Sequence, residues 1–144
     1  MNRADLITYL HLAPDDALPR LESGYFKAIL VIDDNVTPEW QTAVSDWLVR
    51  SGCRYMMAWG HKCGEWDDSV DYASLRLFDY GEVPEDDFVM TTWHDKDSLM
   101  DTFWFSAHSA MHPSLNLEQT YIIHIAPSER SNELLQTFRD AQET

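Results

Sequence analysis

The stretch HKCGEWDD, residues 61–68, places a histidine, a thiol, a tryptophan and three acids within eight residues. WHD follows at 93–95, and IDDN stands earlier at 32–35. Imidazole, thiolate and carboxylate together can hold zinc, so His61, Cys63, His94 and an aspartate such as Asp34 are candidate metal ligands. The spacing contains neither a paired CxxC nor an HExxH. The same groups could support covalent chemistry, with Cys63 as nucleophile, His61 or His94 as base, and Asp95 or Asp67 orienting the histidine. An acidic surrounding works against this, because it raises a thiol's pKa. A third chemistry would use Mg²⁺ to bridge a nucleotide-like ligand to Asp33, Asp34 or Asp67, with Asp68 a further ligand-binding candidate. Trp59, Trp66 and Trp93 could stack on that ligand's base or sugar, or could simply pack between helix and sheet. No GxGxxG and no P-loop occurs, and the chain has five glycines, so direct phosphate cradling is not expected. His108 and His112 stand one helical turn apart and could clamp a ligand or serve as a surface and a cap residue. His124, inside an apolar run, reads as a hydrogen-bonded core histidine.

These residues need elements to position them. The run YFKAILVID, 25–33, suits a strand buried on both faces. Thr37 and Pro38 open a helix carrying Trp40, Val44, Trp47 and Leu48, and Gly52 ends it. CRYMMAW, 53–59, reads as a second buried strand, and the cluster after Gly60 as a loop. DDSVDYASLRLFDYG, 67–81, reads as a helix ending before Gly81. Residues 86–95 read as a third strand, and a helix capped by Asp97 or Ser98 runs to His112-Pro113. TYIIHIA, 120–126, reads as a fourth strand, followed by a last helix. The start, RADLITYLHL at 3–12, reads as a short amphipathic helix through Leu6, Ile7 and Leu10.

Strands alternating with helices imply right-handed βαβ units. The expected fold is α/β, a small three-layer Rossmann-like domain with a mainly parallel sheet of about four strands, occupying residues 1–144 as a single domain. In such sheets ligands bind beyond the carboxyl ends of the strands. Asp33, His61 and His94 would then share one rim.

With 144 residues and a net charge of −15, the chain is a poor match for nucleic acid or an anionic membrane. Residues 65–101 hold twelve Asp and Glu against Arg76 and Lys96. Such a segment is either a solvated face or a docking surface for a basic protein partner. Two cysteines are too few for a disulfide scaffold. No signal peptide and no membrane-length apolar run is evident, so the cytoplasm is the expected location.

The segments RYMMAWG (54–60), WDDSVD (66–71) and VMTTWH (89–94) together resemble an uncharacterised bacterial α/β domain family. That resemblance covers most of the chain and implies one complete domain without an assigned activity. AILVIDDN, 28–35, resembles the opening of a two-component receiver domain. There Asp33 and Asp34 would hold Mg²⁺, and Asp79 would be the acceptor by distance, although it reads as helical. The family's lysine near the last strands is missing, since no lysine follows Lys96. The resemblance therefore implies shared architecture rather than a phosphoreceiver.

Two functions are expected from these residues. One is a non-catalytic acidic binding protein for a basic partner, of immunity, inhibitor or regulatory type. The other is a metal-assisted hydrolase, or a nucleotide or small-ligand sensor, with its site at the strand rim.

Overall fold

A computed structural model describes residues 6–143. Five strands form one sheet, in the order β1-β5-β2-β3-β4, with every pair parallel. They are β1 (Ile7–Leu12), β2 (Phe26–Ile32), β3 (Cys53–Gly60), β4 (Met90–Trp93) and β5 (Gln119–Ile125). The helices are α1 (Pro38–Ser51), α2 (Cys63–Leu77), α3 (Leu99–His108) and α4 (Ser131–Gln142).

The strand pleat sorts the core into two halves. Ala28, Leu30 and Ile32 face one way and pack with Val44, Leu48, Trp66 and Val70 of α1 and α2. Ile29 and Val31 face the other way and pack with Phe103, Leu134 and Phe138 of α3 and α4. The result is the expected three-layer α/β architecture, with five strands rather than about four. Burial of each large side chain, such as the fully enclosed Phe26, Phe103 and Phe138, contributes about 1.5–3 kcal/mol.

The first helix forms as its caps dictate. The Thr37 side chain accepts from the Trp40 amide at 3.2 Å, Pro38 occupies the first turn, and Gly52 closes the helix at φ 116°. Five expectations need correction. Residues 7–12 form a strand, not a helix; residues 3–5 of that expected helix lie outside the described residues. Ile7 and Tyr9 pack on one face of the sheet and Leu10 and Leu12 on the other, an alternation that only a strand satisfies. Pairing with the otherwise open edge of β5, from Ile7↔Thr120 to Leu12↔Ile125, holds it extended.

The expected loop at 61–68 is mostly helix. The chain reverses at Gly60 (φ 103°) and Lys62 (φ 54°), so α2 starts at Cys63 and carries the acids with it. Asp79, expected to be helical, lies beyond the end of α2 at a positive φ of 50°. The expected strand at 86–95 shrinks to Met90–Trp93, because Glu85–Asp87 turn as a short 3₁₀ segment. Buried Arg54 holds that turn, donating to the Asp86 carbonyl at 3.2 Å and to Asp87 Oδ1 at 3.1 Å. Finally, α3 stops at His108 rather than running to His112.

Candidate functional site

All five strands point their carboxyl ends to one rim, so the topology does gather the segments expected there. Strand order reverses between β2 and β5, where an α/β sheet opens its ligand crevice. Here side chains close that position. His124 is fully buried and bonded at both ring nitrogens. The Arg130 amide donates to Tyr9 Oη at 3.0 Å, which leaves the phenol proton for His124 Nδ1, 2.6 Å away. Nε2–H then donates to Asp33 Oδ2 at 2.6 Å, and Arg130 grips the same oxygen at 2.7 Å. Asp33 is thus committed to a histidine and an arginine, and His124 is the satisfied core histidine expected from its strand.

The other rim histidines are committed too. The His94 ring is buried, donating from Nδ1 to Asp97 Oδ2 at 2.8 Å and accepting at Nε2 from the Thr92 hydroxyl at 2.8 Å. His61 is exposed and bonds through Nε2 to the Asn35 side-chain oxygen. Asp34 Oδ1 accepts from the Asn35 amide at 2.8 Å. Asp34, His61 and His94, the expected metal candidates, do not form a ligand cluster among the described residues; three aspartates on α2 do. Cys63 is buried in the first turn of α2, where burial, and then the charge of Asp95, push its thiol above the ordinary range. Both cysteines are free thiols. Asp95 itself is exposed.

The tryptophans divide by position. Trp66 lies in the core at 2% exposure, Trp59 donates Nε1 to the Asp97 carbonyl at 2.9 Å, and Trp93 stands 54% exposed at the end of edge strand β4. Of these three, only Trp93 is broadly available to a ligand or partner. His108 and His112 do not form a clamp. His112 donates to the Phe88 carbonyl at 2.7 Å and accepts the Ser114 amide at 3.1 Å, while the His108 ring lies against Trp104. Two large concavities, of about 870 and 720 Å³, lie at the opposite end of the sheet, near Tyr25 and Arg54 and near Lys27 and His112.

Three acids come together on α2. Asp67 and Asp71 are one helical turn apart, with Asp68 beside them, and one carboxylate oxygen of each lies within 4.8 Å of the others. Asp67 is buried at 4% exposure and its Oδ1 has no hydrogen-bond partner. The Thr91 hydroxyl, on β4, donates to Asp71 Oδ1 at 2.7 Å.

The family model described as a domain of unknown function, DUF7684, matches residues 7–141. The chain belongs to the DUF7684 family. No curated protein and no solved structure matches it. The match takes in every strand and nearly all of α4, so the DUF7684 domain includes β1, the strand read as a helix from sequence, as well as the acidic α2.

Within this DUF7684 domain, sequence reasoning named Asp67 and Asp68 but missed Asp71, Thr91, Tyr9 and Arg130. The Asp67, Asp71 spacing of four was a usable signal once 61–68 is placed on a helix. Tyr9 and Arg130 come from segments more than a hundred residues apart, and no local signal joins them. Burial, then the neighbouring Asp71 charge, push the Asp67 carboxyl up from 3.8 to about 6, against a weaker pull from Thr91. Between those values the folded protein binds a proton that the unfolded chain has lost. Stability in EDTA should therefore fall as pH rises from about 4 to about 6, then level off. Asp67→Asn should reduce this dependence, leaving the contribution of Asp71, whose carboxyl burial also pushes up, and should stabilise the protein at pH 7.5 by about 1–2 kcal/mol, with little difference from wild type at pH 4. Thermal unfolding across that range measures it; a variant less stable than wild type at pH 7.5 would contradict the assignment.

Proposed function

We propose that this DUF7684 domain is a non-catalytic acidic binding module that engages a basic protein partner, of immunity, inhibitor or regulatory type, in a bacterial cytoplasm. The observation that carries this reading is where the exposed aromatic side chains lie. The four most exposed aromatic side chains among the described residues, Tyr72, Tyr80, Phe88 and Trp93, are between 46% and 66% exposed and all fall in the segment with twelve acids against two bases, whereas the less exposed Tyr25 and Trp104 lie outside it. Aromatic anchors supply binding energy at interfaces, and a one-signed field speeds association and selects an oppositely charged partner. None of the described helices is long and apolar enough to cross a membrane, which is compatible with this reading. The alternative, a metal-assisted hydrolase or a nucleotide or small-ligand sensor at the rim, draws less support. His61, His94, Asp33 and His124 already spend ring nitrogens or carboxylate oxygens on protein partners.

The test is affinity capture from the native host, followed by binding measurements with the purified partner. A basic protein should be recovered, and its Kd should weaken at least tenfold between 50 and 300 mM salt. Tyr80→Ala with Phe88→Ala should weaken it by a further tenfold or more. A partner of acidic or neutral charge, or binding indifferent to both salt and the double variant, would reject this function.

A further inference from the structure

Three carboxylates converge on the flank of α2 that faces β4, and one of them has a buried oxygen with nothing to bond. Burying a carboxylate oxygen without a partner is costly, and placing two more acids beside it adds to the cost. Asp71 receives the Thr91 hydroxyl proton, whereas Asp67 Oδ1 receives none. The group therefore lacks a positive charge at a defined place. We propose that Asp67, Asp68 and Asp71 form a binding site for one hard divalent cation of the Ca²⁺ or Mn²⁺ kind.

The donor set is oxygen only, which suits hard cations and not zinc or copper. Oxygen ligands on opposite sides of Ca²⁺ stand about 4.6–5.2 Å apart, twice the usual bond length. The three carboxylates, within 4.8 Å of one another, fit around such an ion with little movement. Asp67 and Asp71 approach from successive turns of one helix and Asp68 from the adjoining position, so the three are positioned before any ion arrives. Thr91 fixes the orientation of Asp71 from the neighbouring strand, as groups behind a metal ligand commonly do. Water would complete the coordination on the exposed side, where Asp68 and Asp71 stand. A lysine or guanidinium from a partner is a poorer occupant, because Asp67 Oδ1 is enclosed and a bulkier cationic group has less room beside it than a single ion. Of the residues first considered for a divalent metal the site keeps Asp67 and leaves out Asp33, Asp34, His61 and His94, and its existence does not depend on the protein-partner reading.

The experiment is a Mn²⁺ titration of the full chain at pH 7.5 and 150 mM salt, following loss of the free-ion EPR signal, with Ca²⁺ as competitor. One saturable site is expected, displaced by Ca²⁺ and accompanied by a rise in the unfolding midpoint. Asp71→Asn, at an exposed position that the fold tolerates, should weaken binding at least tenfold, and Asp67→Asn at least as much. Asp95→Asn with Asp97→Asn, acids of the same segment outside the cluster, should leave it within twofold. Weak unsaturable binding, or binding equally reduced by both sets of variants, would mean that the ion only answers to the net charge and would overturn the proposal. Absence of Mn²⁺ binding by the wild type would overturn it as well.

Discussion

Gly60→Ala is expected to destabilise the protein by about 3 kcal/mol or more, the largest effect of any single methyl addition proposed for this chain. Gly60 ends β3 at φ 103°, a backbone region that side chains rarely enter. A Cβ there would stand 2.3 Å from the Ile32 carbonyl oxygen and 3.1 Å from its carbon. Neither atom can move aside, because that oxygen accepts the His61 amide at 2.9 Å and belongs to the central strand β2. Gly24→Ala is the matched control. Its φ is 122°, yet no atom lies within 4 Å of the added carbon, so only backbone strain applies, about 1–2 kcal/mol. Urea unfolding of both variants separates the two contributions. Equal losses would show that backbone angle alone decides; a Gly60→Ala midpoint at the wild-type value would contradict the described turn.

The second large effect is expected at His124. His124→Leu keeps an apolar body in the core but removes two hydrogen bonds of 2.6 Å. Tyr9 and Asp33 each keep a contact with Arg130, so neither is fully abandoned. A loss of about 2–4 kcal/mol follows from two partners left under-satisfied at a buried position. If the Tyr9–His124–Asp33 network is structural, folded His124→Leu should bind the partner as wild type does. Normal stability together with lost binding would instead make the network part of a functional site and revive the rim reading. Equilibrium unfolding and a binding isotherm on the same preparation distinguish these outcomes.

The legible parts of this fold were those written in local chemistry. The apolar run at 28–32, the Thr37-Pro38 start, the Gly52 stop and the Ser98 cap each act within a few residues, and each appears where expected. β1 was not legible, because Ile7 and Leu10 fit a helical face as well as they fit opposite faces of a strand. Only the open edge of β5, more than a hundred residues away, decides between them. The start of α2 was hidden for a related reason. Lys62 takes a left-handed conformation that its side chain does not announce, and together with the turn at Gly60 it converts an apparent acidic loop into the start of a helix.

The candidate site divides in the same way. Composition alone showed that residues 65–101 carry a strong negative charge and that exposed chemistry would be acidic, because net charge is additive and needs no geometry. Sequence position also placed His124 correctly, since a lone histidine in an apolar strand must be hydrogen-bonded. Tertiary structure alone decided which acids meet. Asp33 left the expected ligand group when Arg130 and His124 claimed it, and Asp71 joined Asp67 when helix α2 laid them one turn apart against Thr91. Charge is a property of the list of residues, whereas coordination and hydrogen bonding depend on ångström distances between segments that only the folded chain brings together.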